Sequence, residues 1–436
     1  MHLIEQLFHV VLSISKMTEF ISKWNIMRPC TLALPLIELG TYDFYVDWGD
    51  GSESEHITSH KGSHEYKSPG DYIITCTGTI KGLRVIDSKD CYYLLDILQW
   101  GSLKLGNEGS YFKDCKRLQI SAKDAPDLSE TTTLKDMFFN CQVFNSPIDH
   151  WDVSTITNME HMFNYAYRFN QPLRSWNVSN VVNMRGLFAY TAFNQDISTW
   201  DVSNVIDISN LFFCARTFNQ PLNSWNVSNV CNMRRVFSYA ISFNQPLNSW
   251  DVSNVTRMSH MFGNAVSFNQ DISMWNVSNV TQMGSMFSQA YDFNQDISTW
   301  DVSNVDYMGY MLYMASNFDT TNRKLLSKWN IKSYEVVANI GGMGKGLFLT
   351  LPNPILTWSE FKTDSYPYSE SDCAICMSEI ADKEDWCAFK CNSTMKLGIP
   401  HCYHKECIES WVSKHLTCPS CRGGISIIAM SEIEEN

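Results

Sequence analysis

The C-terminal part of the chain carries cysteines and histidines at spacings that suit metal binding. Two C-x2-C pairs flank an H-x2-H-x2-C motif, and further cysteines lie between them. The residues concerned are Cys373, Cys376, Cys387, Cys391, His401, Cys402, His404, Cys407, Cys418 and Cys421. Because a zinc ion takes four nitrogen or sulfur ligands in a tetrahedron, eight ligands from this set would hold two ions. Nothing suggests an open coordination position, so the sequence predicts structural rather than hydrolytic zinc.

These residues closely resemble a RING finger of the two-histidine class, which is cross-braced. Ligands one, two, five and six of such a finger share one ion, and the other four share the second. The resemblance therefore implies a first zinc site made of Cys373, Cys376, His404 and Cys407. It implies a second zinc site made of Cys391, His401, Cys418 and Cys421.

The third ligand departs from the family pattern. The family places it one to three residues before the fourth ligand, where this chain has Ile399 and its neighbours instead of a cysteine. We take Cys391 as this ligand, with an insertion over residues 392–399, and keep Cys387 and then Cys402 as alternatives.

Four further positions match the pattern of RING-type ubiquitin ligases. The resemblance implies that Ile375, Trp411 and Pro419 form a shallow apolar patch for a ubiquitin-conjugating enzyme, and that Arg422 is the linchpin that orients the ubiquitin thioester. The alternative is that Ile375 and Trp411 only pack the small core. A ligase of this kind has no nucleophile of its own, and it accelerates transfer by orienting the reactants.

The middle of the chain is a repeat array, and its period is 25 residues with a single 24. Tryptophan recurs at one position of the unit, namely at residues 151, 176, 200, 225, 250, 275 and 300. In the unit that follows Trp250, alternation up to Val255 predicts a short strand. Apolar residues then follow at i, i+3, i+4 and i+7, which predicts a helical segment: Met258, Met261, Phe262 and Ala265. A lone unit cannot bury these side chains, so the units must stack into a solenoid.

The repeat strongly resembles the BspA-like leucine-rich family, through the segments FNQPLNSWNVSNV and M-x-x-M-F. The resemblance implies a solenoid for protein contact and no chemistry. We expect a stacked asparagine ladder to bond neighbouring turns; its members are Asn180, Asn204, Asn229, Asn254, Asn279 and Asn304. Recognition is expected at exposed helix positions that differ between units, with neutral drift as the alternative reason for the differences: Arg185, Arg234, Arg235, Arg257, His260, Gln282 and Tyr307.

The N-terminal region alternates apolar and polar residues, as at Tyr42, Phe44 and Val46, and has turn signals between the runs. It resembles a PKD-like module through the W-G-D-G-S turn and the P-G-x-Y strand entry. The predicted fold is therefore a multi-domain chain: a small β-sandwich, an α/β repeat solenoid and a cross-braced zinc finger. Its segments are an extension (1–17, with Met1 or Met17 as the start), a PKD-like β-sandwich (18–90), irregular lead-in repeats (91–133), the solenoid (134–333), a linker (334–371), the RING-type finger (372–425) and an acidic tail (426–436).

Composition narrows the partners and the compartment. The net charge of −13 argues against binding to nucleic acid. The sequence contains no apolar run of about 20 residues, so we expect no membrane-spanning segment. Seven scattered cysteines without pairing pattern predict buried free thiols in a reducing compartment. The combination of this array with a RING finger in one chain also resembles predicted proteins of giant viruses. This resemblance implies that the protein is located in the host cytoplasm.

The sequence thus predicts a RING-type ubiquitin ligase with two structural zinc ions. Its partners would be a ubiquitin-conjugating enzyme, bound by the finger, and an unknown protein substrate, selected by the solenoid. One alternative is a non-catalytic binding scaffold whose finger is a zinc-stabilised interaction module. Another, favoured by the repeats alone, is an extracellular adhesin, against which the finger and the unpaired cysteines argue.

Overall fold

The computed structural model describes residues 18–85, 90–318, 321, 326, 329–331, 386–389 and 401–404. Two types of architecture follow one another in this part of the chain. A mixed β-sheet comes first, and an array of stacked coils of about 25 residues follows it. A short strand pair lies near the C-terminus.

The N-terminal part forms a six-stranded sheet and a separate two-stranded sheet. Its elements are β1 (Phe20–Ile26), β2 (Cys30–Ala33), β3 (Leu36–Asp47), β4 (Glu55–Ile57), β5 (Ser63–Tyr66), β6 (Gly70–Leu83), the short helix α1 (Asp90–Tyr93), β7 (Leu94–Gln99) and β8 (Gln119–Ile120). The larger sheet has the order β4-β3-β6-β1-β7-β8, and β2 pairs with β5. Every pair is antiparallel except β7 with β8. The six-stranded sheet therefore continues beyond residue 90, where the predicted β-sandwich segment ends, because β7 and β8 belong to it.

Alternation along the strands places one face of this sheet in the core. Phe44 and Val46 of β3 are buried, and Tyr45 between them is exposed, as the period of two predicts. The turn after β3 is capped by its own side chains. Asp47 accepts a hydrogen bond from the backbone N–H of Gly49 (2.9 Å), and Asp50 accepts one from the backbone N–H of Ser52 (3.0 Å). The region is rich in β-sheet, as expected, and its identity as a PKD-like sandwich stays a prediction.

Backbone hydrogen bonds join each coil of the repeat to the next. Single residues of successive coils pair in parallel and form a line that we call the bridge row: Thr133, Asn158, Asn183, Asp207, Asn232, Arg257, Gln282 and Tyr307. After the bridge row, every second N–H donates to the following coil. Met258 donates to the carbonyl oxygen of Gln282 (2.8 Å), and Phe262 donates to that of Met286 (2.8 Å).

The predicted helical segment of each repeat is wrong. Between residues 134 and 318 the structure contains consecutive turns and no helix. Met261 donates to the carbonyl oxygen of Met258 (3.0 Å), which is an i to i−3 bond, whereas the N–H of Phe262 bonds the next coil. His260 and Asn264 have positive φ angles of 58° and 59°, which a right-handed helix excludes. Turns of this length bury the same i, i+3, i+4 and i+7 positions as a helix. The pattern therefore predicted correctly which residues are buried, but not the conformation of the backbone.

The predicted strand from Trp250 to Val255 is also wrong. Asp251 accepts a hydrogen bond from the N–H of Ser253 (3.0 Å), and Val255 donates to the carbonyl oxygen of Val252 (2.9 Å). Both bonds are local and close turns, because a short polar side chain competes with the ladder for the backbone. The β-bridge pairing of this coil with its neighbours occurs just after this segment, at Arg257 of the bridge row.

Stacked aromatic rings fill the interior of the coils. Phe262 lies 3.8 Å from Phe268 of its own coil, centroid to centroid, and 5.6 Å from Phe287 of the next coil. Trp250 and Trp275 stack at 6.5 Å. Burial of one such ring removes about 150–250 Å² from water, worth roughly 4–6 kcal/mol before entropy is counted. This gain explains why these positions repeat.

The expected asparagine ladder is confirmed. Asn254 donates its side-chain N–H to the backbone carbonyl oxygen of Ser228 (2.7 Å) in the preceding coil, and the other five asparagines do the same. A second ladder was not predicted. In it the asparagine of the F-N-Q segment accepts from the backbone of the next coil, as Asn244 does from Asn269 (3.0 Å).

The seven cysteines outside the C-terminal group carry free thiols, as predicted. Four of them are buried, whereas Cys30, Cys214 and Cys231 are only half-buried. Among the residues that the structure describes, no helix has the length and apolar character needed to cross a membrane.

Candidate functional site

A strand pair holds the two histidines of the predicted finger. Strand β9 (Trp386–Phe389) pairs antiparallel with β10 (His401–His404). The register sets His401 opposite Phe389, Tyr403 opposite Cys387 and His404 opposite Trp386. Residues three apart in a strand belong to opposite faces, so the positions of His401 and His404 lie on different faces of the pair.

The other predicted residues of the finger are distributed around this pair. Of the alternatives for the third ligand, Cys387 lies in β9 and Cys402 in β10. The remaining candidate ligands lie outside the described residues: Cys373, Cys376, Cys391, Cys407, Cys418 and Cys421. The positions predicted to contact the conjugating enzyme also lie outside them: Ile375, Trp411, Pro419 and Arg422. Within the described ranges, no group of three or more metal-ligating side chains is present.

The residues predicted for recognition lie on one face of the coils, beside the bridge row. Arg257, Gln282 and Tyr307 belong to the bridge row itself. Arg185 and Arg234 follow it by two residues in their own coils. These residues sit on turns and not on a helix. The prediction of exposure is confirmed for Arg185, Arg234, Arg257 and Tyr307, whereas Arg235, His260 and Gln282 are half-buried.

Positive charges gather on this face. The pKa of Arg234 is lowered by partial burial and then by the charges of Arg235, Arg185 and Arg257. The pKa of His260 is likewise lowered, first by burial and then by Arg235 and Arg234. The arginine charges thus contribute to both pKa shifts, after the larger effect of burial.

Sequence reasoning missed an aromatic column on the same face. Its rings come from five successive coils and contact one another in order: Phe139, Tyr165, Tyr190, Phe213 and Tyr239. Tyr165 and Tyr190 stack at 4.3 Å, and the guanidinium of Arg235 lies over the ring of Phe213 at 5.7 Å. The available signal was the recurrence of aromatics at unit positions where the repeat fixes no residue type.

Comparison with known families covers most of the coil array. Three successive segments, residues 107–197, 190–271 and 245–343, match the family described as "Mycoplasma protein of unknown function, DUF285", and together they span more than half of the chain. The chain belongs to this family. The description of the family assigns it no activity, so the family accounts for the repeats alone.

A different family covers the C-terminus of this DUF285 chain. Residues 371–422 match the Ring finger domain family, and this segment contains every candidate zinc ligand and Arg422. The chain thus combines DUF285 repeats with a C-terminal RING finger of the two-histidine class. The prediction of a RING finger is confirmed, whereas the likeness of the repeats to the BspA-like family is only loosely supported.

Curated relatives match in the RING region. An Arabidopsis thaliana protein named E3 ubiquitin-protein ligase ATL6 is 31% identical over 94 residues, which are 20% of this chain and 21% of the relative. The Putative RING-H2 finger protein ATL35 of Arabidopsis thaliana is 37% identical over 76 residues, which are 17% of this chain and 22% of the relative. E3 ubiquitin-protein ligase znrf3 of Danio rerio is 39% identical over 57 residues, 13% of this chain and 6% of the relative.

The chain spans only about a fifth of the length of the first two of these relatives. The matches therefore bear on the RING finger and not on the proteins as wholes. No solved structure matches the chain.

Proposed function

We propose that this protein is a RING-type E3 ubiquitin ligase. In this proposal the finger binds a ubiquitin-conjugating enzyme, and the coil array presents protein substrates. The observation that carries the proposal is the match of residues 371–422 to the Ring finger domain, together with relatives that are named E3 ubiquitin-protein ligases.

Two structural zinc ions hold the finger in this proposal. The first is bound by Cys373, Cys376, His404 and Cys407, and the second by Cys391, His401, Cys418 and Cys421. The strand register supports the division of the histidines between two ions, because the positions of His401 and His404 belong to opposite faces of β10. The bound ions supply no chemistry beyond closing the fold, which for structural zinc is coupled to folding itself.

The same register bears on the alternatives for the third ligand. Cys402 is adjacent to His401 and so belongs to the opposite face of β10, which disfavours it as a ligand of the same ion. Cys387 pairs with Tyr403, which shares its face with His401, and so it is not disfavoured in this way. Cys391 follows the end of β9 by two residues, and it remains our assignment.

The chain's own residues act by binding and orientation. Ile375, Trp411 and Pro419 offer the apolar patch on which the conjugating enzyme docks, and Arg422 orients the bound ubiquitin thioester toward the attacking lysine. None of them exchanges a proton or forms a covalent bond. The rate gain comes from holding thioester and nucleophile in reactive geometry, which makes the transfer effectively intramolecular.

The coil array supplies the substrate contact in this proposal. Its rigid, hydrogen-bonded coils carry side chains that differ from coil to coil on one face, as a recognition surface on a repeated scaffold requires. We place this activity in the cytoplasm, and in the host cytoplasm if the protein is viral.

The test is an in vitro ubiquitination assay with a panel of conjugating enzymes, in which wild type is compared with Ile375→Ala and Arg422→Ala. We expect autoubiquitination by wild type and its loss in both variants, with zinc content unchanged. A fully zinc-loaded wild-type protein without activity toward any conjugating enzyme would overturn the proposal.

A further inference from the structure

Three arginines on the coil face have no acidic partner within the part of the chain that the structure describes. We define the arginine patch as Arg234, Arg235 and Arg257. None of them forms an ion pair with a described residue, although acidic groups outnumber basic ones in the chain by 46 to 33. Arg185 nearby differs, because Glu160 lies 3.8 Å from it. A concentration of unmatched positive charge in an acidic protein costs free energy in the unbound state, which a negatively charged ligand would recover.

The patch is held in place by the coils. The backbone of Arg235 donates to the carbonyl oxygen of Ser259 (3.0 Å), and Met233 donates to that of Arg257 (2.9 Å). These bonds fix the two coils that carry the patch. The guanidinium of Arg235 also lies over the ring of Phe213, at 5.7 Å from its centroid. A cation held by an aromatic face loses less rotamer entropy on binding, so the patch is partly preorganised.

A shallow depression lies within the patch. It has a volume of about 370 Å³ and is lined by Arg234, Arg257, Ser259, Thr281 and Gln282. Two guanidinium forks next to hydroxyl and amide groups suit carboxylates, which accept paired hydrogen bonds from arginine. The nearest acid of the bridge row is engaged elsewhere, since Asp207 accepts a hydrogen bond from Asn232 (3.1 Å).

We infer that this face binds an acidic segment of a protein substrate, with carboxylate side chains on Arg234 and Arg257. The inference rests on the proposed ligase function and names its substrate class. Carboxylates rather than a nucleic acid are the expected ligand, because three arginines in a chain of net charge −13 are too few to track a phosphate backbone.

The experiment measures binding by the full chain without any conjugating enzyme. The probe is a fluorescein-labelled peptide of alternating glutamate, aspartate and serine, and fluorescence anisotropy reports its affinity. The test variant is Arg234→Gln/Arg257→Gln. The matched control is Arg168→Gln/Arg216→Gln, which removes the same charge from two other exposed positions of the array. We expect the test variant to lose about tenfold in affinity and the control to lose less than about twofold. Arg234→Lys/Arg257→Lys keeps the charge and should lie between wild type and the test variant.

Several outcomes would overturn the inference. They are no binding by wild type, an equal loss in test variant and control, or tighter binding of a single-stranded oligonucleotide through the same arginines. A gain of about tenfold in peptide affinity on removal of residues 426–436 would instead make the chain's own acidic tail the occupant. Autoubiquitination separates this result from the ligase proposal. Its absence in zinc-loaded wild type, alongside peptide binding by the same protein, would overturn the ligase proposal alone.

Discussion

Trp250 donates its indole N–H to the backbone carbonyl oxygen of Leu222, 2.9 Å away in the preceding coil. Both residues are buried. The same bond recurs in the following coils, where Trp275 donates to Leu247 (3.0 Å) and Trp300 donates to Ile272 (3.1 Å). The repeated tryptophan therefore does two things. It fills the interior, and it donates to a buried carbonyl of the preceding coil that also accepts a backbone N–H within its own coil, as Leu222 does from Trp225 (3.1 Å).

The first prediction concerns this bond. Trp250→Phe keeps a large apolar ring but removes one of the two N–H donors to the carbonyl of Leu222, which keeps its bond from the backbone N–H of Trp225 (3.1 Å). We expect the free energy of unfolding in urea to fall by about 0.5–1.5 kcal/mol from the lost bond, and further from the space that the smaller ring leaves. The control is Met274→Ala, because Met274 is 84% exposed and should change stability by less than about 0.5 kcal/mol. Equal stability of Trp250→Phe and wild type would contradict the role of the hydrogen bond.

The second prediction concerns acid stability. The pKa of Asp251 is lowered by hydrogen bonds from the side chain and backbone of Ser253. Its contribution to stability is complete above the pKa of the unfolded state, near 4, and is lost as pH falls toward the lower folded-state pKa. In Asp251→Asn the amide oxygen still accepts from the backbone. Its equivalents Asn226 and Asn276 show this, since they bond the N–H groups of Ser228 and Ser278 at 3.2 Å.

We therefore expect Asp251→Asn to be slightly less stable than wild type at pH 7, because it lacks the charge, and to lose less stability than wild type between pH 5 and pH 3. Thermal unfolding across this range measures the difference. Asp201→Asn and Asp301→Asn occupy the same unit position and should behave alike, because the pKa of each aspartate is lowered in the same way by its serine. A pH dependence that none of the three substitutions alters would refute the assignment.

The repeat could be predicted from the sequence because its positions are fixed by burial. Trp250, Met258 and Phe262 are all buried, as their recurrence indicated. The backbone could not be predicted in the same way. Stacking lets the N–H of Phe262 bond Met286 in another coil, and hydrophobic periodicity carries no information about bonds between coils. Positive φ angles at residues such as Arg235 and His260 gave little glycine signal, because a glycine occupies this unit position in one coil of the array, at Gly186 with a φ of 61°.

The third prediction tests the cost of these positive φ angles. Ser285 has a φ of 56°, and its backbone bonds to Gly309 and Ser288 do not need the side chain. A left-handed conformation costs a non-glycine residue roughly 1–2 kcal/mol. Glycine avoids this cost, but it loses more conformational entropy on folding, which offsets part of the gain. We expect Ser285→Gly to raise the free energy of unfolding by about 0.5–1 kcal/mol.

Ser267→Gly is the matched control, because Ser267 lies in the same array without a positive φ angle. It should lower stability, by about 0.5–1 kcal/mol. The strain argument fails if the two substitutions change the unfolding midpoint in urea in the same direction.

The candidate sites differ in how far the sequence determines them. The zinc finger could be identified from spacing, since C-x2-C pairs and an H-x2-H-x2-C motif rarely serve another purpose. The arginine patch could be placed only in part. Arg234 and Arg257 were singled out because they vary between units, but their shared depression is lined by residues from three successive coils. The column that includes Tyr190 and Phe213 was missed because its residues are divided between two adjacent unit positions.

The last prediction distinguishes the candidates for the third zinc ligand. If Cys391 holds the second ion, Cys391→Ser should reduce zinc from about two ions to about one per chain, because three remaining ligands bind zinc far more weakly than four. Cys402→Ser should keep both ions, since Cys402 belongs to the face of β10 opposite to that of His401. Cys387→Ser is the decisive comparison, because Cys387 pairs with Tyr403 on the face of His401. Zinc measured by atomic absorption, together with autoubiquitination, should show loss in Cys391→Ser alone. Loss in Cys387→Ser with full zinc in Cys391→Ser would transfer the ligand to β9 and contradict an insertion over residues 392–399.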